Sequence, residues 1–161
     1  MFADLPPLIA IHFAAALLAL PVGIVQLAAA KGTPAHRWLG YLYVGAMLVA
    51  NLSALLTWPD RTFLVFYILA VVSLGSLAGG MWALLRWFRT GDERHLRRHK
   101  VDMGYSWLGL FMAGVSQALV NPRFGIAPAL GPVALWSLFA ALNLALYGAG
   151  SWWIFRRLAR A

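Results

Sequence analysis

Five apolar segments alternate with short polar stretches along the chain, and this alternation predicts the fold. The segments cover about residues 8–30, 38–58, 63–88, 101–120 and 133–155. An α-helix needs about 20 residues to cross the hydrocarbon core of a bilayer, and each segment meets that length. We therefore predict an all-α protein, a polytopic bundle of five transmembrane helices that forms a single domain over residues 1–161.

The polar stretches carry signals that start and end helices. Thr33-Pro34 precedes the second segment and is typical of an N-cap followed by proline at the first helical position. Residues 121–132 contain three prolines and two glycines and are predicted to form a loop. The longest polar interruption runs from Arg86 to Met103, and we expect it to connect the third and fourth spans.

The composition supports a membrane location. Hydrophobic residues make up 62% of the 161 residues and charged residues 11%, which is more apolar surface than a soluble core of this size can bury. The net charge of +8 lies in the polar stretches, a pattern of membrane topology rather than nucleic-acid binding. The chain has no cysteine, which excludes disulfides, thiolate ligands and iron–sulfur clusters.

The distribution of cations predicts the orientation. With the N-terminus outside and the C-terminus cytoplasmic, eleven of the thirteen Lys and Arg residues lie on the inner side, and only Arg61 and Arg123 lie outside. Asp4 precedes the first segment without a basic region, so this segment is predicted to be retained as a span. We predict a multi-pass protein of the bacterial inner (cytoplasmic) membrane, with anionic lipid headgroups bound at the Arg94–Lys100 run.

Small residues at helical spacing predict where helices approach closely. They occur in the first, third, fourth and fifth segments: Ala15, Ala19 and Gly23; Gly75 and Gly79; Gly114 and Ala118; and Gly148-Ala149-Gly150.

Two histidines form the main candidate site. His36 and His99 each lie two residues before the first apolar residue of a predicted span, and both spans run outward from the cytoplasm. If their helical faces meet, the imidazoles converge on the inner side and can serve as axial ligands of haem b. Gly40 would then admit the macrocycle, and Arg37 would face the propionates.

Other ligands remain open for the same residues. His95, His99 and Asp102 share a helical face and could hold a divalent metal together with His36. The His99–Met103 pair, at spacing four, suits copper. The structural alternative is that these are interfacial histidines that bind carbonyl groups or lipid phosphates.

A second polar group is predicted nearer the outer side. His12 faces the same way as Ala19, Gly23 and Gln26 on the first helix. It is interpreted either as the donor of a helix–helix hydrogen bond or as part of an outer-side polar seam with Gln117.

No pattern for hydrolysis, phosphoryl transfer or proton pumping is present in the sequence, so enzymatic activity is undetermined. If haem is bound, the predicted role is one-electron transfer with a quinone or a partner subunit. The alternative is a non-catalytic accessory or assembly subunit of a larger membrane complex, or a homo-oligomer, in which the histidines are structural. A transporter would need a broken helix or an intramembrane charge pair, and neither is apparent.

Three sequence motifs, KGTPAHRWLG, the upstream IHFAAALLAL and the downstream RRHKVDM, resemble a bacterial family of predicted membrane proteins of unknown function. The shared pattern consists of a histidine early in the first helix (His12), the Lys-Gly-Thr-x-x-His-Arg-x-x-Gly entry to the second (His36, Arg37, Gly40) and the His-x-x-x-Met entry to the fourth (His99, Met103). His95 lies outside this pattern. The resemblance implies a fold and a membrane location but no activity. A looser likeness to haem-bearing four-helix membrane cytochromes is an analogy of fold alone.

Overall fold

The computed structural model describes residues 5–57, 64–120 and 129–158. These residues form five helices and no strand: α1 (Pro7–Ala28), α2 (Pro34–Thr57), α3 (Leu64–Thr90), α4 (Glu93–Val120) and α5 (Pro132–Arg157). Each predicted apolar segment corresponds to one helix, with ends that differ by a few residues except at the start of α4. The prediction of an all-α membrane protein is therefore confirmed.

Some of the predictions fall outside the described residues. These concern the end of the second span at Trp58, the start of the third at Phe63, the two outer cations Arg61 and Arg123, Arg160 of the inner set, and positions 121–128 of the predicted loop.

Four of the helices are long and apolar enough to cross a membrane: Pro7–Ala28, Pro34–Thr57, Tyr67–Thr90 and Pro132–Arg157. The fourth predicted span, 101–120, is also helical, but α4 is not among these four. Its first two turns are strongly basic, and its later turns include polar residues such as Asp102, Ser106 and Gln117. The sidedness of the termini stays a prediction.

The polar stretch Arg86–Met103 is almost entirely helical, which differs from the connector expected there. Only Gly91 and Asp92 interrupt the helices. Gly91 adopts a φ of +66°, a left-handed conformation that glycine reaches without steric cost and that commonly ends a helix. The Asp92 carboxylate then accepts a hydrogen bond from the Arg94 amide at 2.9 Å, which caps the start of α4. The basic run thus forms the first turns of α4.

The chain divides into two compact units, Met1–Gly79 and Gly80–Ala161. In the first unit α1 packs antiparallel to α2. The buried residues of α1 are Ala15, Ala19 and Gly23, so the predicted small-residue face of this helix is the packed one. Because small side chains let backbones approach, the polar groups of α1 come within hydrogen-bonding distance of the carbonyls of α2.

In the second unit α4 packs antiparallel to α5. Ser116 of α4 and Asn143 of α5 are joined by hydrogen bonds, the shorter of which runs from the Asn143 amide to the Ser116 hydroxyl at 2.9 Å. Near the other end of the contact, a Cβ added to Gly104 would lie 2.9 Å from Leu158. The absence of a side chain at Gly104 therefore sets how closely the helices approach there.

The small-residue prediction fails in part for the other helices. Gly114 and Ala118 of α4 are exposed within the chain, and a Cβ on Gly75 or Gly148 would meet nothing within 4 Å. Gly150 of the predicted Gly148-Ala149-Gly150 set does make a close approach, beside Leu108. Two further close approaches lie at glycines that were not predicted: Gly80 beside Met103 and Gly104 beside Leu158. The spacing of small residues allows close approach on several faces of a glycine-rich helix. Which of these faces packs depends on the side chains of the neighbouring helix.

We predict that Gly150→Ala destabilises the second unit, because the added methyl group would lie 2.5 Å from Leu108. Overpacking of this kind costs about 1–3 kcal/mol. The measurement is thermal unfolding of the purified protein in detergent. Gly148→Ala is the matched control, since its Cβ meets open space and alanine favours the helix by about 1 kcal/mol. Equal unfolding temperatures for the two variants would contradict this packing.

Candidate functional site

The turn between α1 and α2 holds His36 in the first unit. Lys31 donates hydrogen bonds to the carbonyls of Gln26 and Leu27, the latter at 3.0 Å, and so satisfies acceptors at the end of α1. Gly32 turns the chain with a φ of +79°. Thr33 then accepts a hydrogen bond from the His36 amide at 3.1 Å, which confirms the predicted N-cap.

Gln26 links the two helices at this turn. Its side-chain amide, Nε2, donates to the His36 carbonyl at 2.6 Å. The same nitrogen lies 3.1 Å from where a Cβ of Gly40 would stand. The haem hypothesis predicts that Gly40 admits the macrocycle, whereas in the structure the Gln26 side chain lies beside its Cα. Gly40 therefore has a packing role between α1 and α2.

His36 is the third residue of α2 and is half-buried, and Arg37 beside it is exposed. The first turn of a helix carries the positive end of the macrodipole, which disfavours an imidazolium ion. Neutral imidazole is the form that ligates metals. The backbone of His36 is fixed at both its amide and its carbonyl, by Thr33 and Gln26.

His99 lies in the second turn of α4, in the second unit. Its Nδ1 is 2.9 Å from the carbonyl oxygen of Gly80 on α3. Since a carbonyl oxygen only accepts, this hydrogen bond places a proton on Nδ1, and in the neutral ring Nε2 is then the nitrogen that can ligate a metal. The imidazole is therefore held in one tautomer and one orientation by a neighbouring helix.

Gly80 is also the point at which other α4 side chains meet α3. A Cβ on Gly80 would lie 3.0 Å from the Met103 sulfur and 3.3 Å from the Cβ of Asp102. The predicted common face of His99 and Met103 is thus present, and it packs on α3. The Asp102 carboxylate pairs with Arg98 at 3.3 Å.

The multi-ligand metal site stays a prediction. Across residues 5–57, 64–120 and 129–158, no set of three or more His, Asp or Glu side chains is placed to hold a metal ion. His95 lies half-buried in the first turn of α4. His36 belongs to the first unit, and His95 and His99 belong to the second.

His12, predicted for an outer-side seam, binds a neighbouring helix in the first unit. Its Nδ1 is 2.7 Å from the Ala50 carbonyl of α2, and the Ser53 hydroxyl lies 3.5 Å from the same nitrogen. This contact is the helix–helix hydrogen bond that the sequence suggested as one of two roles for His12. Gln117, the other residue of the predicted seam, is half-buried in α4 of the second unit.

Three residues that shape the site were not singled out as candidates from the sequence: Gln26, Lys31 and Gly80. Lys31 could have been found, since a lysine just after a helix commonly binds its last carbonyls. The roles of Gln26 and Gly80 depend on which residue of the neighbouring helix lies opposite, and no local pattern specifies that.

The fold and these contacts define an all-α membrane protein with several apolar helices, in which polar side chains bind the carbonyls of neighbouring helices. Comparison with protein families then identifies it further. The chain belongs to the family described as Predicted membrane protein (DUF2306), which it matches over residues 9–149. Comparisons with curated proteins and with solved structures find no match. The resemblance noted from the sequence motifs is thereby confirmed.

We predict that Thr33→Ala loosens the turn that holds His36. Loss of an N-cap side chain costs about 0.5–2 kcal/mol, because the His36 amide loses its acceptor. Hydrogen exchange of the amides in residues 34–37 should be faster, and the unfolding temperature in detergent should fall. Thr33→Ser keeps the hydroxyl and serves as the control. If Thr33→Ala and Thr33→Ser exchange alike, the cap does not stabilise this turn.

Proposed function

We propose that this protein binds haem b through His36 and His99 on the cytoplasmic side of a bacterial inner membrane and transfers single electrons. The observation that carries the proposal is the hydrogen bond from His99 Nδ1 to the Gly80 carbonyl. Histidines that ligate metals almost always donate their other ring N–H to a carbonyl or carboxylate, which fixes the tautomer and orients the ring. His99 has that arrangement, with Nε2 as the ligand nitrogen.

His36 supplies the second ligand in this proposal. Its position in the first turn of α2 favours neutral imidazole, and its backbone is held by Thr33 and Gln26. Arg37 is exposed on the following position and provides a cation for a propionate group. His36 belongs to the first unit and His99 to the second, and haem binding requires both imidazoles to reach one iron atom.

The ligand count favours haem over a divalent cation. Zinc sites use three or four protein ligands, whereas a haem iron held between two helices needs two axial side chains. The structure fixes two candidate histidines by hydrogen bonds, His36 through its backbone and His99 through its ring. Gly40 is not needed in this proposal, since Gln26 occupies the space beside it.

The test is the absorption spectrum of the protein purified after expression with haem supplied. A Soret band that shifts on reduction with dithionite is expected for the wild type. His36→Ala and His99→Ala should each lose most of the bound haem, because one axial ligand is removed. His95→Ala is the matched control and should retain it. A colourless wild type, or equal haem content in all four proteins, would refute haem binding.

The geometric requirement can be tested without any cofactor. The chain has no natural cysteine, so a His36→Cys/His99→Cys double variant contains a single pair of thiols. Two histidines on opposite faces of one haem keep their Cα atoms farther apart than the roughly 7 Å that a disulfide spans, so the probe is a bismaleimide whose spacer is as long as two imidazoles and an iron atom. Efficient intramolecular cross-linking by this reagent would support convergence of the two positions. If bismaleimides of every spacer length fail to join the two cysteines, a shared ligand is contradicted.

A second function, that of an accessory subunit, is supported by the surface of α5. Only 6% of the apolar part of α5 is buried within the chain. Three exposed small residues lie at spacing four on this helix: Ala141, Ala145 and Ala149. Exposed small residues in this register let another transmembrane helix approach closely, either from a partner subunit or from a second copy.

We predict that Ala145→Leu reduces association through α5, because the larger side chain separates the helix backbones. The measurement is the size of the complex released by mild detergent, followed by native electrophoresis. Ala140→Leu adds the same side chain on a different exposed face of α5 and should leave the size unchanged. Monomeric migration of the wild type would remove the support for an accessory role.

A further inference from the structure

The second unit has a strongly cationic end formed by three helices. Eight Lys and Arg residues lie in the last turns of α3, the first turns of α4 and the last turn of α5, against three carboxylates. We refer to these eight as the cationic end: Arg86, Arg89, Arg94, Arg97, Arg98, Lys100, Arg156 and Arg157. The sequence run Arg94–Lys100 supplies only half of it.

The antiparallel packing of α4 and α5 brings these charges together. Ile154 and Leu158 of α5 are buried and lie against Gly104 of α4, and Tyr105 contacts Phe155 edge-on at 6.4 Å. The end of α5 is therefore anchored beside the fourth turn of α4. Arg156 and Arg157 are carried to the same end of the unit as the basic run.

Most of these cations are not neutralised within the protein. Arg94 pairs with Asp92 at 3.5 Å and Arg98 with Asp102 at 3.3 Å. In the part of the chain that the structure describes, the other six have no carboxylate partner within salt-bridge distance. Even Arg94 has a side chain that is 89% exposed, so its pairing is weak.

The surface of α5 next to this end is apolar and aromatic. Ile154 and Leu158 occupy its packed face, so Trp152 and Arg156, at spacing four, point away from α4. The Arg156 guanidinium lies 5.0 Å from the centroid of the Trp152 ring, and Trp152 is 60% exposed. Tryptophan is enriched at the level of lipid headgroups, and an adjoining arginine at this level meets phosphate.

We propose that the cationic end binds the phosphate headgroups of anionic phospholipids, with the acyl chains lying along the exposed face of α5. The juxtaposition of unpaired cations and an exposed aromatic and aliphatic surface matches both parts of such a lipid. A nucleic acid would match only the charges. Cations held near a membrane surface each raise affinity for anionic lipid by roughly fivefold.

The experiment uses native mass spectrometry of the full-length protein in neutral detergent micelles. Phosphatidylglycerol or phosphatidylcholine with the same acyl chains is added at matched concentrations, and retained lipid is counted. The wild type should retain phosphatidylglycerol over phosphatidylcholine. Arg156→Gln/Arg157→Gln should lower that retention roughly ten- to thirtyfold, given the fivefold effect of each cation. Arg156→Lys/Arg157→Lys preserves the charges and should retain most of it.

A further variant tests whether the basic run of α4 takes part in lipid binding. Arg97→Gln removes one cation of the cationic end and should lower retention by roughly fivefold. Circular dichroism establishes that each variant is folded, and inorganic phosphate added at millimolar concentration should not displace the lipid. Equal retention of the two lipids by the wild type, full retention by Arg156→Gln/Arg157→Gln, or displacement by free phosphate would overturn the proposal. None of these outcomes bears on haem binding.

Discussion

The structure depends on the requirement that polar groups inside a membrane protein find partners within the protein. The hydrocarbon core of a bilayer offers no hydrogen bonds, and each unpaired polar group there costs several kcal/mol. Both units satisfy this requirement in a similar way. A long polar side chain on one helix donates to a backbone carbonyl on its neighbour: His12 to Ala50, Gln26 to His36 and His99 to Gly80. The helices are thereby held in one register.

These contacts require the backbones to approach closely, so small residues lie beside them. Ala15, Ala19 and Gly23 are the buried residues of α1, between the contacts made by His12 and Gln26. Gly80 both accepts the hydrogen bond from His99 and leaves room for Met103. Between α4 and α5 the Ser116–Asn143 pair uses two side chains instead. Polar contact and close packing are thus two aspects of the same interface.

The same hydrogen bonds give the histidines two compatible roles. A donor bond from Nδ1 stabilises a helix pair, as for His12, and it also fixes the tautomer that a ligating histidine needs, as for His99. A structural histidine and a cofactor ligand therefore have the same surroundings on the side of Nδ1. A structural histidine and a cofactor ligand differ in what binds Nε2. The proposed function is therefore tested by spectroscopy, which detects a bound haem, and by cross-linking.

The amino-acid sequence alone predicts the helical class, the membrane location, the family and the start of α2 at Thr33-Pro34. These features depend on composition, segment length, short motifs and local capping. The packed face of α1 could be predicted as well, since one small-residue stripe stands out there. The packing of the helices was needed to show that Gly40 accommodates Gln26, that Gly80 and Gly104 rather than Gly114 are close-approach points, and that α5 adds cations to the basic run of α4. Each of these depends on which residue of another helix lies opposite, and periodicity along one helix carries no information about the register of its neighbour.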